Sequence, residues 1–483
     1  MRSDMRPKIS GAGTGLCSLP REILLEILEF CLPLDIIHMR LTCTLFNRLS
    51  TDLSLWTSVY RNSSFFLPPR PLQSIHDLER TLVRAQKLEV ELEPSSTKKL
   101  AFKTDLELDI CQEVNYFHPF QGRYVFVGTD YSLRLYDLWK ESYNIPCHHV
   151  EAIPGTRFGF RIQHPTAQDT HWASEDDKGP MKFELYVPIF IIKRYGFGRT
   201  QELSDLSIWR IEPSATVAIK QIVSFPLEHL PWSRSEGSYQ AIVSNGFLAY
   251  WNEMRSSRES FVYDINTGTL WDFTENVGPP DDSKFRQITI LPDRRILIIR
   301  IRQTETLLEF LSIPKEDRGV GAPKIPTRNH HGTCDFSVRD VALITSKKSG
   351  PMEETLLFLA IEEVPGCGDT VIIFNTILSS DTTFASNIIF GGSFGPRLRN
   401  LCPTVRWEDD ELYSIRVATR TTGYDMQLYD MKLDTGGDEV DGYQNRFLLT
   451  DSFCWWYTVF DGFTGTQMNL LDQNTVILVR SLV

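Results

Sequence analysis

A few short stretches carry residue types that could do covalent or metal chemistry. "GGSFG", Gly391 to Gly395, has the spacing of a nucleophile elbow, in which the Ser393 hydroxyl would attack a carbonyl. An elbow needs a strand that opens into a helix. "NIIF" could supply the strand, but Pro396 follows at once and Pro403 soon after, so no helix of useful length can begin. "NHHGTCD", Asn329 to Asp335, sets His330 and His331 beside Cys334, all potential zinc ligands. Adjacent residues on a strand point to opposite faces, and no second cluster stands at zinc spacing, so a polar loop is expected there. His148 and His149 read the same way.

Phosphate cradles fare no better. "GAGTG" at Gly11 precedes no strand–helix unit, and "GVGAPK" at Gly319 ends in a proline-broken loop. The expectation is a chain with no catalytic residue, no cofactor and no metal. Three acidic clusters, Ser174 to Asp177, Pro279 to Asp282 and Glu408 to Glu411, read as solvated loop tips. Gathered on one rim they would favour a basic partner segment.

The elements that must position any site divide the chain near residue 100. The 483 residues exceed one typical domain. A net charge of −12 and a pI near 5.4 argue against nucleic acid or an anionic membrane as the main partner. No apolar run approaches the roughly 20 residues that span a bilayer. The start, "MRSDMRPKISGAGTGLCSLP", lacks an apolar signal core and reads as a disordered tail over 1–15, a transit peptide being the alternative. The nine cysteines form no CxxC pair, which suits reduced thiols in cytoplasm or nucleus.

Beyond residue 99 the chain reads as all-β with an internal echo. "SLRLYDL" (132–138), "DLSIWRI" (205–211), "SFVYDIN" (260–266), "LLEFLSI" (307–313), "TVIIFNT" (370–376) and "MQLYDMK" (426–432) each set apolar residues around a central aromatic. Each follows a second β-rich run, such as "YVFVGT" or "GFLAYWN". The spacing, roughly 45–75 residues, is near propeller-blade periods with loop insertions. With "KLAFKTDLELDIC" before them and "NTVILVRSLV" at the end, the units suggest a β-propeller of six or seven blades over 99–483. The final strand would pair with the first blade to close the ring. A two-sheet sandwich or an open solenoid is the rival, because the period is irregular and no "GH…WD" signature is present.

Before that region the patterns are helical. Ser18, Pro20 and Glu22 signal a helix start, and Ile23, Leu24, Ile27 and Leu28 follow. Pro33 breaks the pattern. A second helix near Asp35 carries Ile36, Ile37 and Leu41, and a third, capped by Thr42 or Thr44, carries Leu45, Phe46 and Leu49. Residues 61–98 add a helical spacer, "SIHDLERTLVRAQKLEVEL", with Ser74 and Asp77 at capping-box spacing and an apolar stripe of Ile75, Leu78, Leu82, Ala85 and Leu88. That stripe suits a stiff spacer or a helix on the β domain's flank. About 40 residues bury too little surface to stand alone, so the β domain or another protein must cover the surplus aliphatics of 19–56.

The segment resembles the F-box. The resemblance rests on Leu19-Pro20-x-Glu22, the alternating aliphatics, Pro33 with Asp35, then Cys43, Leu49 and the closing Leu55-Trp56, in that order and at those separations. Phe46 stands where the family usually has Trp, and His38 is an unusual polar residue in the second helix. The match covers about a tenth of the chain, residues 16–60. It implies docking on a Skp-type adaptor that links to a cullin–RING ubiquitin ligase, with the remainder selecting a protein substrate. Carried onto this sequence, Leu19, Pro20, Ile23, Leu24, Ile27, Leu28, Ile36, Ile37, Leu41, Cys43, Phe46 and Trp56 are the adaptor-binding candidates, some of which must instead pack within the helices. The resemblance thus implies a small all-α F-box plus a large all-β domain, acting as a non-enzymatic substrate receptor in the SCF-type complex. An F-box scaffold working outside a ligase is the runner-up, and a propeller hydrolase or lectin the third reading.

Overall fold

The computed structural model describes residues 15–67, 74–92, 103–120 and 123–160 and, between 185 and 482, the strands given below with a few residues flanking them. The chain divides into two compact units, a helical one within residues 1–93 and an all-β one that takes in 94–483. Among the described residues no helix is long and apolar enough to cross a membrane.

The helical unit contains α1 (Arg21–Glu29), α2 (Pro33–Arg40), α3 (Thr44–Leu49), α4 (Leu53–Arg61) and α5 (Ile75–Glu91), after a single 3-10 turn, Leu16–Ser18. Local chemistry fixes most of their starts. Pro33 occupies the first turn of α2, where its missing N–H costs nothing. The Asp52 carboxylate caps α4 by accepting from the Ser54 N–H at 2.9 Å. Ser74 and Asp77 form the capping box expected for α5, each bond at 3.3 Å. Helix α3 departs from expectation. Its N-cap is Cys43, because Thr42 gives its hydroxyl to the Met39 carbonyl at 2.7 Å and Thr44 already lies inside the helix.

Leu24, Leu28, Ile36, Phe46, Leu49, Leu55, Trp56, Val59 and Tyr60 form one core, joined by Leu78 and Leu82 of α5. The α5 stripe therefore packs on α2 and α4. Helix α5 thus belongs to the helical unit.

Strand β1 (Thr104–Asp109) opens the all-β unit. Six four-stranded antiparallel sheets follow in chain order. The first holds β2 (Val114–Phe120), β3 (Tyr124–Thr129), β4 (Ser132–Asp137) and β5 (His148–Glu151). The second holds β6 (Thr156–Gly159), β7 (Leu185–Arg194), β8 (Gln201–Ile211) and β9 (Ile219–Pro231). The third holds β10 (Tyr239–Ser244), β11 (Phe247–Asn252), β12 (Ser260–Asp264) and β13 (Leu270–Asp272). The fourth holds β14 (Phe285–Ile290), β15 (Arg295–Ile301), β16 (Thr306–Ser312) and β17 (His330–Cys334). The fifth holds β18 (Val338–Gly350), β19 (Glu353–Val364), β20 (Gly368–Ser379) and β21 (Phe384–Ser393). The sixth holds β22 (Arg399–Glu408), β23 (Glu411–Arg420), β24 (Met426–Leu433) and β25 (Val440–Leu448).

A seventh sheet combines β26 (Thr458–Asp461), β27 (Thr466–Leu471) and β28 (Val476–Ser481) with β1. Closure thus runs opposite to expectation. The last strand does not join the first sheet; the first strand completes the last one, from Thr104↔Ser481 to Asp109↔Val476. The alternating "TDLELD" suits an outer edge, with Leu108 buried and its neighbours exposed. Strand β28 is bonded on both sides, to β27 and β1.

Apolar layers between successive sheets form the core. One layer joins the third and fourth sheets through Trp251, Trp271, Ile288 and Ile298. Another joins the seventh to the first through Leu108, Ile477, Phe117 and Val125. Strand β26 lies against both β22 and β2, so the succession returns to its start. This is a propeller-like arrangement.

Candidate functional site

The chemistry-bearing stretches fall on strands of the all-β unit. Ser393 is the last residue of the outer strand β21, paired with Thr370 of β20, and the next described element is another strand, β22. His330, His331 and Cys334 lie on β17 and pair with Phe310, Glu309 and Thr306. On β5, His148 is half-buried while His149 is exposed, the opposite facing that strand alternation demands. Burial pushes the His148 imidazole below its usual pKa. Among the described residues no group of three or more His, Cys, Asp or Glu could hold a metal. Gly11 to Thr14, Gly319 to Lys324, Ser174 to Asp177 and Pro279 to Asp282 lie outside the described residues.

Among the described residues, exposed apolar surface is by contrast concentrated in the helical unit. Among the described residues, Leu16, Leu19, Ile23, Phe30, Leu32, Leu41, Leu53 and Val90 are its exposed large apolar side chains. Among its own described residues the β unit contributes Tyr131, Ile145, Ile153 and Ile222. Monomeric surfaces seldom gather apolar side chains this way without a partner.

Helical geometry explains the surplus. Leu24 and Leu28 of α1, with Cys31 just past its end, sit at i, i+4, i+7 and face the core. Ile23, Ile27 and Phe30 repeat that spacing one residue earlier, about 100° around the helix. Ile23 is 42% exposed and Phe30 84%, against 1% for Leu24. Helix α2 does so in part. Pro33 and Ile36 are buried, while Leu34 and Ile37 are half-buried and Leu41, just past the helix, is 81% exposed. On α1 one stripe builds the core and a second faces out, whereas on α2 Ile37 of the second stripe packs against the core and Leu41 faces out.

The twelve candidates therefore separate. Leu24, Leu28, Ile36, Phe46 and Trp56 are sealed in the core and offer no surface to a partner. Phe46 fills its place with a benzyl ring, and the Trp56 indole N–H donates to the Ser50 carbonyl at 2.7 Å. Leu19, Pro20, Ile23 and Leu41 are exposed, and Ile27, Ile37 and Cys43 are half-buried. Five exposed members, Leu16, Phe30, Leu32, Leu53 and Val90, escaped the sequence reading. Phe30 and Leu41 shared a signal that could have found Phe30: each continues a second stripe.

Polar contacts hold this frame rigid. Arg40 makes two bonds to the Glu79 carboxylate, at 2.6 and 3.1 Å, and donates to the Ser50 hydroxyl at 2.8 Å. Gln86 of α5 accepts the Leu34 N–H at 2.8 Å, satisfying a free donor in the first turn of α2. Arg21 pairs with Asp52 at 2.6 Å. The Ser54 hydroxyl bond, the Ser54 N–H and then Arg21 hold the Asp52 carboxyl below its usual pKa.

Comparison with known families decides what this unit is: residues 16–62 match the F-box-like family. The N-terminal region is an F-box-like domain. It is followed by the large all-β region. No curated protein matches the chain. Among solved structures, the chain is similar to Drosophila Semaphorin 1a extracellular domains 1-2, at 8% identity over 79% of this chain and 88% of that one, with a TM-score of 0.43. A functionally unknown protein from Desulfotomaculum acetoxidans DSM 771 is similar at 8% identity over 74% and 92%, TM-score 0.38. TolB from Acinetobacter baumannii is similar at 10% identity over 74% and 77%, TM-score 0.32. The F-box-like match ends at residue 62, yet the same core continues into α5.

Proposed function

We propose that this chain is a substrate-recognition subunit of a cullin–RING ubiquitin ligase of the SCF type. Its F-box-like domain docks a Skp-type adaptor through the outward stripes of α1 and α2, and the all-β domain receives a protein target. The observation that carries the reading is an F-box-like domain whose second stripe keeps Ile23, Phe30 and Leu41 exposed, with Ile27 half-buried beside them. Burying such side chains is worth about 1.5–3 kcal/mol each, enough for a handful to anchor a partner. The chain would contribute proximity alone, holding its target where ligase-bound ubiquitin can reach it, in cytoplasm or nucleus.

Co-purification of the full chain with a Skp-type adaptor and a cullin tests this. Ile23→Asp with Leu41→Asp places charge on the exposed stripes without touching the core, so folding is retained and adaptor capture is lost. Capture of both partners by the native chain supports the ligase reading. Adaptor without cullin supports an F-box scaffold acting outside a ligase. Capture of neither by a folded chain removes the proposal.

A further inference from the structure

Two thiols meet where the 3-10 turn passes the head of α3. Cys17, in Leu16–Ser18, and Cys43, the N-cap of α3, are 26 positions apart, yet their sulfurs lie 4.0 Å from each other. Both are free, Cys17 exposed and Cys43 half-buried, so a small oxidant can reach them. We propose that Cys17 and Cys43 form a reversible disulfide, an oxidative modification site within the F-box-like domain. This inference stands whether or not the domain binds an adaptor.

The bond requires the sulfurs to close from 4.0 Å to about 2.05 Å, which side-chain rotation on an exposed turn can supply. The two thiols also differ in the sense the chemistry needs. The backbone N–H of Phe46, at the head of α3, lowers the Cys43 pKa, whereas the contact with Cys43 raises that of Cys17. Cys43 is the nucleophile and Cys17 the resolving thiol.

With hydrogen peroxide as oxidant, the Cys43 thiolate attacks one peroxide oxygen and the O–O bond breaks. Hydroxide leaves and takes up a proton as water, and Cys43 becomes a sulfenic acid. The Cys17 sulfur then attacks the Cys43 sulfur. The S–O bond breaks, and the departing hydroxyl takes the Cys17 proton as a second water. Two thiols have lost two electrons and the peroxide has gained them. A dithiol reductant reverses the change by exchange. The bridge ties the turn that carries Leu16, and leads into Leu19, to the start of α3 across the intervening α1 and α2.

The test is peptide mapping of the full native chain after brief treatment with hydrogen peroxide and alkylation of the remaining thiols. The expected product links the Cys17 and Cys43 peptides with the loss of two hydrogens, and dithiothreitol restores both thiols. In Cys17→Ser the Cys43 sulfenic acid persists and is trapped by dimedone. Without oxidant, iodoacetamide labels Cys43 before Cys17. If both cysteines stay reduced while others oxidise, or either pairs preferentially elsewhere, the proposal falls. The native-chain map decides the matter even if the serine variant fails to fold.

Discussion

Arg40 and Glu79, 39 positions apart, form a two-pronged ion pair that joins α2 to α5, and the same guanidinium reaches Ser50 at the start of the next turn. The pair fastens a helix beyond the F-box-like match to the F-box-like core. Both side chains are about four-fifths buried, so the pair exceeds an exposed one in value, at about 1 kcal/mol. Glu79→Ala should therefore speed hydrogen exchange of the α5 amides about fivefold, since 1 kcal/mol is roughly that factor. Unchanged α5 exchange would mean that Leu78 and Leu82 alone hold the helix.

Trp56 tests the core in which five of the twelve candidates are buried. Its ring is fully buried and its N–H satisfied by Ser50. Trp56→Ala should cost about 3–5 kcal/mol, a large share of the 5–15 kcal/mol typical of a folded domain. Limited proteolysis should then cut within residues 15–92 while the β strands resist. An equally resistant helical unit would show that its surroundings collapse into the gap.

Much of this architecture was legible for a reason the strands make plain. The echoed runs such as "SLRLYDL" and "MQLYDMK" are the third strands of their sheets, and the runs before them are the second. Middle strands are buried on both faces and read as near-continuous apolar runs. First and fourth strands, such as "HHVE" and "LWD", are short or mixed, so the sheet count stayed at six or seven. "NTVILVRSLV" proved to hold the seventh third strand, and its partner β1 was visible only as an isolated alternation. In the helices, Ile23 and Leu24 are the same kind of residue one position apart. Only packing reveals which of two adjacent stripes meets the core, so the sorting of exposed from buried aliphatics was not readable.

Asp52 should give the F-box-like domain an acid-sensitive contribution. Its folded pKa is depressed, chiefly by the Ser54 hydroxyl and N–H, so its stabilisation is present above the unfolded value of about 3.9 and fades as pH falls through the lower folded value. At pH 7 Asp52→Ala should cost about 1 kcal/mol through loss of the α4 cap. The difference between native and variant chains, followed by hydrogen exchange in α4, should shrink as pH drops below about 4. A pH-independent difference would assign the effect to packing instead.

The pairing of β1 with β28 gives a last prediction, on how the all-β unit is held shut. Leu108 is fully buried between the seventh and first sheets, against a layer that includes Val125, Ile477 and Val479. Leu108→Asp forfeits about 1.5–3 kcal/mol of burial and places a carboxylate in an apolar layer, for a total loss above about 3 kcal/mol. The loss acts at the one seam that joins the two ends of the β region, so amide exchange should rise first in β28 and β2. Strands β15, β16, β19 and β20, inside sheets that close by local hairpins, should keep their protection longer. Glu107→Ala, on the exposed side of the same strand, should stay within about 0.5 kcal/mol of the native chain. Uniform loss of protection over all seven sheets would instead show that the ring opens as a single cooperative unit, with the β1 seam no weaker than any other.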